Sequence, residues 1–320
     1  MRSLESIESQ DFIHEDIFTI IVDFGSVDGS YEEALKHAPR MGVYRLDAWR
    51  TKSQRAVSSR FWQEVCPSGN YTFKVVMTPG DVLYPYFLTS CSELWLENID
   101  SNPCLLVCEA DIQTKNGGIR RQTPLYETPR VIDGKKEPIE YLKKGMLHSV
   151  YGFGGELSVS RYQMSELLNE RFWWNNLLLM GVDHNVLYTP ERLVCVPERQ
   201  YTDELWEIVG RWENVINISR RYQSFYGKDL YKGFEETGRK SVAFYALWRT
   251  FLLEKRGMDE EAGNCFLMSE VIEPEVRKLP IYGWLEEWLE CKNPCIMEKM
   301  THFFELAEDK TVEEWEKLYV

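Results

Sequence analysis

The chain has 320 residues, 44% of them hydrophobic and 13% aromatic, enough to bury one large core or two ordinary ones, which excludes a disordered chain. Lys and Arg number 37 against 51 Asp and Glu, and the formal charge of -14 sets a surface field that repels nucleic acid and anionic membranes. No apolar run reaches the roughly 20 residues that span a bilayer, and MRSLESIESQ lacks the apolar centre of a signal peptide, so the expected location is cytoplasmic, with a trimmed chain of the secretory lumen as the alternative.

Short bursts rich in β-branched and aromatic residues open the chain: DIFTIIVDF, MGVYRLDAW, NYTFKVVM, DVLYPYFL, SELWLENI and PCLLVCEADI. These read as strands, separated by the turn-forming stretches SVDGS, CPSGN, TPGD and DSNP, with one helix over YEEALKHA. Residues 115–138, rich in Gly, Pro and charge, read as a long loop or linker.

Beyond it the pattern alternates. GMLHSVYGFG reads as a strand, residues 158–181 as a long amphipathic helix, and DHNVLYT as a second strand. TDELWEIVGRWE follows as a helix with Thr202 as N-cap, then NVINIS as a third strand. GRKSVAFYALWRTFLLEKRG is a helix closed by Lys255, Arg256 and Gly257, and its aromatic stripe Phe244, Tyr245, Trp248 and Phe251 reads as core. NCFLMSEVIEP reads as a fourth strand, and YGWLEEWLE and CIMEKMTHFFELAE as helices. Such alternation predicts parallel pairing with right-handed crossovers. The expected fold is therefore α/β: a β-rich domain over residues 1–137, then a Rossmann-like domain with a mostly parallel sheet over residues 138–320.

Several constellations could carry chemistry. The glycines of YGFGGE, residues 151–156, stand at a strand end, where a backbone can approach a phosphate. Asp183 and His184 stand at the start of the DHNVLYT strand, the wrong end for ligands in a parallel sheet, and read as a seam; the far end places Tyr188 and Thr189 toward a ligand. Glu109 and Asp111 alternate on one strand face and could share a cation or bracket a water, as in a hydrolase, although a solvated sheet edge is the simpler reading. Cys291, Cys295 and His302 have a spacing that could serve zinc, without a fourth ligand nearby. Eight cysteines and the sequons at Asn70 and Asn217 suit either compartment.

Read in order, LHSVYGFGGE, LLLMGVDHNVLY, ELWEIVGRWENVINIS and CFLMSEVIEP resemble the family 92 glycosyltransferases. The resemblance implies a GT-A-like fold that transfers a hexose from a nucleotide sugar to a glycan or other hydroxyl acceptor. It places the donor over Tyr151, Gly152, Gly154, Gly155, Tyr188 and Thr189, with Glu273 as the candidate catalytic base. In the family the last strand carries an Asp-x-Asp element that holds manganese or magnesium against the diphosphate, neutralising charge on the leaving group. Here those positions read Met268, Ser269 and Glu270, which leaves Glu270 as the implied metal ligand and suggests a degenerate, pseudoenzyme form. The competing expectation is a non-catalytic interaction protein, such as a viral or host-binding factor, on the same α/β scaffold.

Overall fold

The computed structural model describes residues 2–13, 17–23, 25–37, 41–45, 73–75, 77, 79–134, 136, 143, 150–155, 184–198, 204–226, 228–307, 310–315 and 317–318. The α/β class expected from the sequence is the one observed. After helix α1 (Arg2–Glu8), strands β1 (Ile20–Asp23) and β2 (Gly42–Arg45) pair in parallel around helix α2 (Ser30–Leu35).

A second sheet runs in the order β3 (Phe73–Lys74), β8 (Val150–Gly155), β5 (Pro103–Gln113), β9 (Asn185–Pro197), β4 (Val82–Leu83). Two short strands join it, β6 (Ile119–Arg120) on β5 and β7 (Arg130–Asp133) on β9. Within this sheet only β5 and β9 pair in parallel among the described residues; the other pairs are antiparallel, contrary to the mostly parallel pairing expected. Strands from both sides of residue 137 build this sheet, so the boundary expected there falls inside one hydrogen-bonded layer.

Strand β5 explains why. Leu106, Cys108 and Ala110 point to one face and pack on helix α3 (Phe87–Glu97) through Phe87, Cys91 and Trp95, so the strand is covered on that side and flanked by β8 and β9. Each large side chain buried there contributes roughly 1.5–3 kcal/mol. Helix α1 and the residue pair after it tie down the end of β4: Leu83 N–H donates to Ser6 Oγ at 3.2 Å, and the buried Gln10 donates to the Tyr84 carbonyl at 2.9 Å.

The rest of the described chain is helical: α4 (Glu204–Tyr226), α5 (Lys228–Glu254), α6 (Asp259–Ile272), α7 (Pro280–Cys291), α8 (Pro294–Ala307) and α9 (Val312–Trp315). These helices share a hydrophobic core separate from that of the sheet. The aromatic stripe is in it, with Phe244, Tyr245 and Phe251 buried and Trp248 packed against them.

Three expected strands are helices, for one physical reason. Residues 92–97 of the first lie in α3, whose buried positions Phe87, Cys91 and Trp95 recur every four residues. Residues 214–219 lie inside α4, and residues 264–272 inside α6, where Ala262, Cys265, Phe266, Ser269 and Ile272 form one helical face. A short apolar run does not distinguish helix from strand; the wider window carries the 3.6 period. The Thr202 cap, the helix over residues 158–181, and Asp183 lie outside the described residues. The Asn217 sequon lies within α4, with Ser219 buried. Cys91, Cys108, Cys195 and Cys265 are buried, while Cys291 and Cys295 are exposed. No helix among the described residues is long and apolar enough to cross a membrane.

Candidate functional site

A parallel pair presents its chemistry at the carboxyl ends of its strands. In β1 and β2 those ends are Asp23 and Arg45, which are register partners. The Asp23 carboxylate is 6% exposed and closes the turn that follows, accepting from Gly25 N–H at 3.1 Å and from Ser26 N–H at 3.2 and 3.3 Å. Gly25 adopts a φ of 83°, a left-handed conformation that glycine takes without a Cβ penalty. Arg45 Nε lies 3.7 Å from Asp23, Nη2 donates to the Ser26 carbonyl at 3.3 Å, and the guanidinium stacks 4.6 Å over the Tyr31 ring. Glu32 approaches Nη1 at 3.9 Å.

Chemically this is a fixed carboxylate acceptor beside a partly exposed guanidinium, at the mouth of a strand-helix-strand unit. Such a carboxylate suits ligand hydroxyls or N–H groups, and the guanidinium suits phosphate oxygens. Neither residue was a candidate from the sequence. The signal was there in IIVDFGSVDGS, an apolar strand that ends on a carboxylate and turns through glycine into a helix.

A second polar cluster occupies the face of β5 opposite its apolar one. Glu109 and Asp111 share this face, as their spacing predicted, but they are 1% and 2% exposed rather than solvated, because residues 121–129 lie over them. Asp111 accepts from Tyr84 O–H at 2.6 Å and Arg121 Nε at 3.0 Å, with Arg192 Nε 3.5 Å away. Glu109 accepts from Tyr188 O–H and from Leu125 N–H, the latter at 2.9 Å. Burial first, and then the hydrogen bond to a carboxylate, pushes both the Tyr84 and Tyr188 phenols above the ordinary tyrosine range.

The residues singled out from the sequence do not converge. Tyr151, Gly152, Gly154 and Gly155 lie inside β8, paired along β5 rather than forming a turn: Tyr151 faces Cys108, Gly152 faces Val107, and Gly154 sits between Leu105 and Lys74. Gly155 pairs with Phe73. Tyr188 and Thr189 stand on the same sheet in β9, both buried, with the Tyr188 hydroxyl committed to Glu109 and Thr189 Oγ1 accepting from Glu191 N–H at 3.2 Å.

Glu270 and Glu273 stand instead among the helices. Glu270 is held by Arg277 and by Tyr282 O–H at 2.8 Å, which keep its carboxyl below the usual range, the tyrosine contributing most. Glu273 caps the short 3-10 turn after α6 by accepting from Glu275 N–H at 3.3 Å, and lies 3.7 Å from Arg239. The metal-bearing strand of the family 92 resemblance is thus a helix here. Among the described residues no group of three or more His, Cys, Asp or Glu is placed to hold a metal ion. His184 does form a seam: its Nδ1 lies 2.9 Å from Asn102 Nδ2, and its carbonyl accepts from Gly134 N–H at 3.0 Å, linking β5, β7 and β9 at their ends.

No protein-family model matches the chain, and no curated protein matches it. Among solved structures, S. aureus TarS superposes with a TM-score of 0.52 at 14% identity, covering 92% of this chain and 51% of that one. The fold is similar to that of TarS. This chain spans about half the length of TarS in that structure. The 1–349 fragment of TarS has been solved with UDP-GlcNAc, at a TM-score of 0.45 and 14% identity, covering 90% and 86% of the two chains. The same fragment has been solved with UDP, at a TM-score of 0.46 and 14% identity, covering 91% and 87%. The likeness to TarS is one of fold and does not single out family 92.

Proposed function

We propose that this chain is a glycosyltransferase-type protein that binds a nucleoside diphosphate sugar and transfers its hexose to a hydroxyl acceptor. The observation that carries the reading is the Asp23 and Arg45 pair at the carboxyl ends of β1 and β2. The similarity of fold to TarS, a protein crystallised with UDP-GlcNAc, supports it.

On this reading the Asp23 carboxylate accepts hydrogen bonds from the nucleoside, and the Arg45 guanidinium, released from its loose 3.7 Å contact with Asp23, offsets charge on the diphosphate. The reading does not rest on Glu270 or Glu273, whose carboxylates are engaged within the helical bundle. The test is thermal shift with UDP-GlcNAc and a panel of other nucleotide sugars, with and without manganese, followed by an assay for released nucleoside diphosphate. Stabilisation by at least one nucleotide sugar, lost in Asp23→Asn, is the expected result. Silence across the panel in both conditions would overturn the reading and leave the non-catalytic interaction protein in its place.

A further inference from the structure

Residues 121–129 join β6 to β7 without helix or strand, and so pass from the β5 side of the sheet to the outer side of β9. They lie over the face that carries Glu109 and Asp111, and polar contacts pin them there. Leu125 N–H donates to Glu109 Oε1 at 2.9 Å, and Tyr126 N–H to Tyr188 Oη at 3.3 Å. Arg121 donates to Asp111, and Arg192 Nη2 donates to the Gln122 carbonyl at 2.6 Å. Tyr126 sits edge-on to Tyr188 at 5.0 Å, and Arg130 stacks 4.1 Å over it. No residue of this segment belongs to either hydrophobic core.

We propose that residues 121–129 form a strap that opens as a unit while the sheet beneath stays closed, uncovering Glu109, Asp111, Tyr188 and Arg192 together. The groups left behind keep partners, which is what makes such an opening cheap. Asp111 retains Tyr84 and Arg192 from the sheet when Arg121 departs, and Glu109 retains the Tyr188 hydroxyl when the Leu125 amide departs. Neither carboxylate is stranded as an uncompensated buried charge, the outcome that would forbid the motion. The opposite face of β5 remains packed on α3 throughout, so the strand does not need the strap to stay in the sheet. Closed, the strap presents its own amide and carbonyl to Glu109 and Arg192, the groups that an incoming polar ligand would otherwise engage. This inference rests on the sheet and its loop, and is independent of the transferase reading.

Hydrogen-exchange mass spectrometry on the full chain tests it. Peptides covering 121–129 exchange faster than those of β5 and β9 in the wild-type protein, and Glu109→Gln, which weakens the charged acceptor for Leu125, speeds strap exchange alone by about tenfold. If Glu109→Gln raises exchange everywhere, Tyr126→Ala replaces it, since that change removes only a ring carried by the strap, and the same selective acceleration is expected. A strap that exchanges only in step with β5 and β9, in the wild type and in whichever variant folds, overturns the proposal.

Discussion

Asp23 is a small acceptor with a large local task, since its two oxygens hold the turn that leads into α2 and face Arg45. Asp23→Asn keeps the size but loses the charge, so affinity for the nucleotide sugar that stabilises the wild type should fall on the order of tenfold or more in a titration. An unchanged dissociation constant would remove Asp23 from the site. The buried Tyr188 phenol and the half-buried Tyr84 phenol give a pH prediction. Their folded-state ionisation is pushed above the ordinary value, so the unfolded chain gives up these protons first, near pH about 10. Their contribution to stability is thus fully present below about pH 10 and declines as pH rises beyond it. Urea midpoints between mildly and strongly alkaline pH should show that decline, and Tyr188→Phe should flatten it; a slope that persists in Tyr84→Phe plus Tyr188→Phe would assign it elsewhere. At this scale the sequence was partly legible. The shared face of Glu109 and Asp111 follows from period two, whereas their burial depends on residues 121–129 folding back over that face, which no local pattern in β5 announces. Asp23 is legible as a strand-ending carboxylate, but its value lies in the parallel partner that brings Arg45 beside it, which the local sequence does not show.

Helices α4 and α5 approach closely at Gly238, where an added Cβ would meet Val215 Cγ1 at 2.4 Å and Cγ2 at 3.0 Å. Alanine elsewhere in a helix gains about 1 kcal/mol over glycine. Here Val215 is 1% exposed and has nowhere to move, so overpacking wins, and Gly238→Ala should destabilise by about 1–3 kcal/mol in chemical denaturation. Adding Val215→Ala should recover part of the loss; a Gly238→Ala protein more stable than wild type would show that the helices separate at little cost. The end of α5 behaves as its sequence predicts. Gly257 takes a φ of 72°, its N–H donates to the Glu254 carbonyl at 3.0 Å, and Met258 N–H reaches back to the Leu253 carbonyl at 3.1 Å, the two bonds of a Schellman cap. Stop signals of this kind are local and so readable. The type of α6 was not, because NCFLMSEVIEP taken alone is as good a strand as a helix; Ala262 before it completes the buried face, and the acidic first turn marks the helix start.

At the scale of the whole molecule, two cores share one chain. Trp315 anchors the helical one: it is fully buried, donates Nε1–H to the Ala307 carbonyl at 2.9 Å, and stacks 4.9 Å from Phe244. Trp315→Ala should cost about 3–5 kcal/mol. Calorimetry with fragment-resolved hydrogen exchange should place that loss in the helices, leaving β5 and β9 protected; equal loss in both would mean that the cores unfold as one. The α/β class was legible from the mixture of strand and helix signals, but the division was not, because the loop at residues 115–138 looks like a linker while strands on both sides of it share a sheet. The parallel pairing of β5 with β9 carries a further consequence, for the order of assembly on the ribosome. Pro103 pairs with Asn185 and Gln113 with Pro197, so the central ladder waits until its partner strand has emerged, whereas each helix of the C-terminal core follows its neighbour closely. During synthesis β5 spends that interval unpaired on its β9 side, with Glu109 and Asp111 two places apart near its end as its own guard against premature association.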